Sequence, residues 1–118
     1  MLQIGCQVIV LTRVEASSRF NYGRDYAKAG AEAKEDFRLA KNRGDIPLAR
    51  DSLNCAIKSY GNALQQYRFA LGESPCRPFE GKIIRKMDGL KKCDLKFVQK
   101  ALEKVRLQLE PPMANELQ

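Results

Sequence analysis

Apolar residues recur at alternating steps of three and four through the middle of the chain. This average period of about 3.5 residues predicts a helix over 46–71 that packs along its length against a near-parallel or antiparallel neighbour. Ile57, Leu64 and Leu71 widen the apolar stripe enough to contact two neighbours, as in a bundle. The regular positions, called the α2 seam below, are Ile46, Ala49, Leu53, Ala56, Tyr60, Ala63, Tyr67 and Ala70.

A helix predicted over 24–42 repeats this use of small residues at heptad steps. Its positions are Tyr26, Gly30, Ala33, Phe37 and Ala40. Between the two helices, Gly44 can take the left-handed conformation that ends a helix, Asp45 can cap the next one, and Pro47 fits a first turn. Because small side chains let helix axes approach closely, the pair is predicted to form an antiparallel hairpin.

A third helical region, 79–109, changes its apolar phase once. Ile83, Met87 and Leu90 share one phase, and a second set is offset by one residue near Cys93 and Asp94. We expect a kink or a break there, with Asp94 available as a helix cap. The second set is Leu95, Val98, Leu102, Val105 and Leu109.

Residues 4–14 fit two different structures. Val8, Ile9 and Val10 favour a strand by residue type, whereas Ile4, Val8 and Leu11 also share one helix face. A strand would need a partner chain, because the rest of the sequence offers no second strand. Both alternatives stay open, with the segment either packed over the hairpin or exchanged with a second copy.

The predicted fold is an all-α antiparallel bundle of three or four helices, built on the alanine-rich αα-hairpin. Residues 1–110 form one domain, within which 1–15 is the uncertain apolar segment. Pro111 and Pro112 end the last helix, so 111–118 is predicted to be a frayed tail.

Composition argues against most catalytic chemistry. The 118 residues include no histidine, which is the side chain most used for acid–base catalysis at neutral pH and the commonest metal ligand. The cysteines show no C-x-x-C pair and are predicted to be reduced, partly buried thiols of a cytoplasmic protein, with a disulfide as the alternative: Cys6, Cys55, Cys76 and Cys93. We expect no enzymatic activity, cofactor, metal site, small-molecule substrate or membrane span.

Positive charge gathers in the C-terminal third of a chain whose net charge is +7. Lys92, Lys96, Lys100 and Lys104 recur at every fourth position and would form one cationic stripe on a continuous helix. The stripe could contact nucleic-acid phosphates or an acidic protein surface. A solvated helix face is the favoured interpretation, because no aromatic residues are interleaved to stack on bases.

A partner-binding groove is a second candidate site. Core packing is the simpler role for Tyr60 and Tyr67, but an open face of the hairpin would let their rings line a shallow groove suited to a partner helix. The candidate groove residues are Tyr60, Ala63, Gln65, Tyr67, Arg68 and Ala70.

The stretch GDIPLARDSLNCAI resembles the second helix of a tetratricopeptide repeat, with Gly44 and Asp45 at the turn and Ala49, Leu53 and Ala56 at packing positions. The alanine-rich hairpin with its long second helix is also similar to the three-helix microtubule-interacting-and-transport domains. Either resemblance implies a scaffold that binds a helix or extended peptide of another protein.

We therefore expect a small adaptor that binds another protein or its own copy as a homodimer. A basic nucleic-acid-binding protein that uses the lysine stripe is the alternative.

Overall fold

A computed structural model describes the backbone of residues 2–73 and 77–109 and the side chains of residues 17–72 and 80–109. Within these ranges the chain is all α-helical, which confirms the predicted fold class. The elements are α1 (Leu2–Asn42), α2 (Ile46–Glu73), α3 (Arg77–Gly89), a π-helical turn (Leu90–Leu95) and α4 (Lys96–Leu109). The predicted frayed tail, 111–118, lies outside the described residues.

The turn between α1 and α2 is built from backbone hydrogen bonds that end one helix and a side chain that begins the next. The N–H of Asp45 donates to the carbonyl of Ala40 and the N–H of Gly44 to that of Lys41, the pairing of a Schellman motif. Gly44 adopts the left-handed conformation this motif requires, at φ 76°. The carboxylate of Asp45 accepts the N–H of Leu48 at 3.2 Å and caps α2. The predicted turn is confirmed.

Small residues of α1 face the tyrosines of α2 across the most extensive helix–helix interface. A Cβ atom added at Gly23 would lie 2.6 Å from the ring of Tyr67, and one added at Gly30 would lie 2.6 Å from the ring of Tyr60. All of the α2 seam except Ile46 is buried. The prediction was wrong for Tyr26, which is exposed.

The phase change in the third helical region coincides with the π-helical turn Leu90–Leu95. A π-helical turn has hydrogen bonds between residues five apart, one residue more than in an α-helix. It therefore accommodates the one-residue offset without a break in the helix. Ile83, Leu90 and Val98 therefore stay buried on one side of a continuous rod. Asp94 lies inside the π-helical turn, so its predicted role as a helix cap is wrong.

The backbone of residues 4–14 is helical and belongs to α1, which starts at Leu2 rather than at residue 24. Because Gly23 lies opposite Tyr67 in the antiparallel hairpin, the end of α2 at Glu73 lies near the level of Ser17. The first turns of α1 therefore extend past α2 instead of covering the hairpin. This long helix accounts for most of the 72 Å length of the molecule, whose other dimensions are 29 Å and 18 Å.

Helix α2 lies between α1 and the rod formed by α3 and α4, and it provides the main contacts to both. The rod runs parallel to α1, since Lys82 contacts Phe20 near one end and Phe97 contacts Lys34 further along. Two parallel helices seated on the same neighbour approach each other less closely than they approach α2. The bundle therefore has a groove between α1 and α4.

Candidate functional site

Two neighbouring cavities form the groove between α1 and α4. One has a volume of about 460 Å³ and the other about 280 Å³. Both are lined by Phe37 and Lys41 of α1 and by Phe97 of α4. The two cavities together are called the α1–α4 groove below.

The ends of the α1–α4 groove differ in chemistry. The larger cavity, here the Asp94 end, is also bordered by Lys34, Glu35, Arg38, Tyr60 and Asp94. The smaller cavity, here the lysine end, is also bordered by Lys100, Ala101, Lys104, Val105 and Gln108.

Aromatic rings form the apolar part of the groove. Phe37 is buried at 6% exposure, whereas the side chain of Phe97 is 48% exposed. The ammonium group of Lys34 lies 4.6 Å from the centroid of the Phe97 ring, and that of Lys41 lies 6.0 Å from the Phe37 centroid. These distances permit cation–π attraction, which holds positive charge directly over the apolar surface.

Basic side chains outnumber acidic ones along the groove. The lining includes five lysine and arginine side chains and two carboxylates, an excess of three positive charges. One of the carboxylates, Glu35, is hydrogen-bonded and ion-paired with Arg38, and this contact lowers the pKa of Glu35. Of the described residues that border the lysine end, the charged ones are all lysines. The groove is therefore most electropositive toward the C-terminal end of α4.

The groove that the sequence predicted along the α2 seam does not exist in the open form expected. Tyr60 and Tyr67 are each 2% exposed, and Ala63 and Ala70 are fully buried. These side chains pack inside the hairpin, because the glycines of α1 leave room for the two rings. Gln65 and Arg68 remain exposed. Of the predicted set, Tyr60 alone lines the α1–α4 groove.

Burial of the two tyrosines changes their acidity. Burial raises the pKa of Tyr60 above 10.0, and the negative charge of Asp94 raises it further. Burial also raises the pKa of Tyr67, an effect that Arg24 opposes and Asp25 reinforces. The folded state thus favours the neutral form of both phenols.

The four lysines of the predicted stripe divide between two surroundings. All of them are exposed. Lys100 and Lys104 border the lysine end of the groove, whereas Lys92 and Lys96 do not line it. Any contact made by the first pair is thus separable by mutation from a contact made by the second.

Sequence reasoning missed the α1–α4 groove because its residues are far apart in the chain. Phe37 belongs to the predicted hairpin seam, and Phe97 belongs to none of the predicted apolar sets. The available signal was the exposed position of Phe97 on α4: it precedes the buried Val98 and falls outside the apolar phase. A single exposed apolar residue is common on helix surfaces, so this signal does not locate a groove by itself.

Among the residues that the structure describes, two further cavities border the solvent. One, of about 500 Å³, is bordered by Tyr22, Tyr26, Arg19 and Gln66, and the Arg19 guanidinium donates to the Gln66 amide at 3.4 Å. The other, of about 440 Å³, is bordered by Tyr67, Asp94 and a group of cations: Arg24, Lys28, Arg85 and Lys86. Neither combines an apolar lining with an exposed phenylalanine as the α1–α4 groove does.

The described ranges contain neither a metal-binding cluster nor a membrane-spanning helix. No cluster of Cys, Asp and Glu there could hold a metal ion. Across residues 2–73 and 77–109, no helix combines the length and apolar character needed to cross a membrane. Cys55 and Cys93 are free thiols and exposed, so their predicted partial burial is wrong. The side chains of Cys6 and Cys76 lie outside the described residues.

Comparison of the chain with protein-family models, with curated proteins and with solved structures gives no significant match. The resemblances to tetratricopeptide repeats and to microtubule-interacting-and-transport domains therefore stay predictions. The functional case depends on the groove itself.

Proposed function

We propose that this chain is a small non-catalytic interaction module that binds a helix of another protein in the α1–α4 groove. The single observation that carries the proposal is the half-exposed ring of Phe97 beside the buried Phe37, at the junction of two cavities between parallel helices. Such a groove suits the apolar face of an amphipathic helix. An exposed aromatic side chain beside a pocket is a frequent source of binding energy at protein interfaces.

Peptide selection tests this proposal without knowledge of the natural partner. A display library of random 16-residue peptides is selected on the full chain and on a Phe97→Ser variant. Leu107→Ser is the matched control, since Leu107 is also an exposed apolar residue of α4 but does not line the groove. Peptides that bind the wild type and Leu107→Ser but not Phe97→Ser would support the proposal. Binding independent of Phe97, or no enrichment, would overturn it.

A second copy of the chain is a different occupant for the same groove. Self-association through the groove would give a dimer in light scattering that Phe97→Ser converts to a monomer. A dimer that persists in Phe97→Ser would place the contact elsewhere.

Nucleic-acid binding is the alternative function, favoured by the net charge of +7 and by the exposure of all four lysines of the stripe. Binding of a single-stranded oligonucleotide would then weaken steeply with salt, because each neutralised phosphate releases counterions. Changing Lys92 and Lys96 to Glu would abolish it without touching the groove. Oligonucleotide affinity that is negligible at low salt would exclude this alternative.

We also propose a cytoplasmic location. The support is the pair of free, exposed thiols at Cys55 and Cys93, which is typical of a reducing compartment.

A further inference from the structure

The charges of the α1–α4 groove select among the helices that its shape would accept. Lys34 and Lys41 place their ammonium groups over the two phenylalanine rings. A ligand that covers either ring must therefore contact a lysine at the same time. Negatively charged groups beside the apolar contacts of the ligand would be attracted at these points, and positively charged groups would be repelled.

The attraction is directional along the groove. Asp94 and Glu35 lie at one end, whereas the charged residues that border the other end, among those the structure describes, are lysines. The strongest positive potential is thus near Lys100 and Lys104. Carboxylates of a bound ligand are expected to concentrate there.

The size of the groove indicates a helix of a few turns. On the rod formed by α3 and α4, the groove lining runs from Asp94 to Gln108. This stretch corresponds to a helical rise of roughly 20 Å. The two cavities share Phe37, Lys41 and Phe97 in their linings. Each would take one apolar side chain from the same face of a bound helix.

We infer that the partner is an acidic amphipathic helix, with apolar residues that contact Phe37 and Phe97 and carboxylates that face Lys34, Lys41, Lys100 and Lys104. This inference rests on the proposed function and adds the chemical class and orientation of the partner. Arg38 is already engaged by Glu35 and contributes less.

The test uses three fluorescein-labelled 16-residue peptides with the same leucine positions at helical spacing. The other positions that differ among the peptides are all Glu in the first (the Glu peptide), all Gln in the second (the Gln peptide) and all Lys in the third (the Lys peptide). Fluorescence anisotropy with the full chain should give the tightest binding for the Glu peptide, about tenfold tighter than the Gln peptide, since each exposed ion pair adds a modest amount and several act together. The Lys peptide should bind most weakly.

Variants then locate the contact. Lys100→Glu combined with Lys104→Glu should weaken the Glu peptide about tenfold. Lys92→Glu combined with Lys96→Glu, an equal change of charge outside the groove lining, should alter its affinity by less than about twofold. Phe97→Ser should weaken the binding of both the Glu and the Gln peptides. Circular dichroism of each variant checks that it keeps the helical content of the wild type.

The outcomes separate the inference from the proposed function. If the Glu and Gln peptides bind equally and both depend on Phe97, the inference of an acidic partner is overturned. The groove then stays as a binding site. Binding that depends equally on the two lysine pairs would overturn the groove-specific contact. Absence of binding by all three peptides would overturn the inference. If the peptide selection also failed, the proposed function would be overturned as well. An oligonucleotide that displaces the Glu peptide would assign the lysine end to nucleic acid instead.

Discussion

Gly30 faces the ring of Tyr60 so closely that a Cβ atom at position 30 would lie 2.6 Å from two of the ring carbons. Gly23 stands in the same relationship to Tyr67 one heptad earlier. Real Cβ atoms do not approach ring carbons this closely, so each tyrosine depends on the missing side chain opposite it. The hairpin buries two phenol rings between closely spaced helices by this means.

Replacement of Gly30 by alanine is expected to destabilise the protein although alanine is the better helix former. Overpacking costs roughly 1–3 kcal/mol, against a gain of about 1 kcal/mol in helix propensity. An approach of 2.6 Å to a buried ring favours the upper part of that range, so the net effect is destabilising. Urea denaturation measures the free energy of unfolding. Gly61→Ala is the matched control, since a Cβ atom there meets no other atom within 4 Å; it should stabilise α2. Equal stabilisation by both changes would contradict the close packing.

Deletion of Cys93 is expected to leave the bundle folded. Removal of one residue from the π-helical turn places Leu90, Leu95 and Val98 in a single α-helical phase, so the apolar face stays on α2. The melting temperature should stay near that of the wild type or rise.

Deletion of Gln99 is the control for the loss of Cys93. It rotates part of the apolar face by about 100°, and burial of Val98 or of Leu102 and Val105 is lost. The free energy of unfolding should fall by at least about 1.5 kcal/mol. If the loss of Cys93 were as damaging as the loss of Gln99, the π-helical turn would not be the place where the phase is corrected.

Alkaline pH is expected to destabilise the protein through its buried phenols. Burial raises the pKa of Tyr60 above 10.0 in the folded state, so the unfolded chain loses its phenolic protons first. The stabilisation is complete below the unfolded pKa and is lost as the pH rises from there through the folded pKa. Thermal melts at pH 8 to 11 should show this loss. Tyr60→Phe should show a smaller loss than the wild type, and an identical slope would contradict the role of Tyr60.

The hairpin could be predicted from sequence because its signals are local. Gly44, Asp45 and the seam of α2 lie within one short stretch, and each residue type has a narrow set of backbone uses. The one-residue phase offset near Cys93 was equally visible. The local structure at this offset could not be predicted, because a π-helical turn and a helix break are both compatible with the same apolar pattern.

The α1–α4 groove could not be predicted, because it arises from packing rather than from a motif. Phe37 and Phe97 come together only when α1 and α4 settle side by side on α2. The importance of the glycines at 23 and 30 was equally hard to predict, since it depends on rings thirty or more positions away. A helix alone does not show which of its faces will be covered.

Nuclear magnetic resonance mapping of the Glu peptide on the isotopically labelled chain tests the central claim most directly. We predict that backbone amide shifts will concentrate at the groove, around Phe37 and Lys41 on α1 and from Phe97 to Lys104 on α4. Resonances of the amides beside Tyr22 and Tyr26, at the cavity that Arg19 and Gln66 also border, should not move. Shifts confined to that second surface, or the absence of any localised change, would contradict a partner site between α1 and α4.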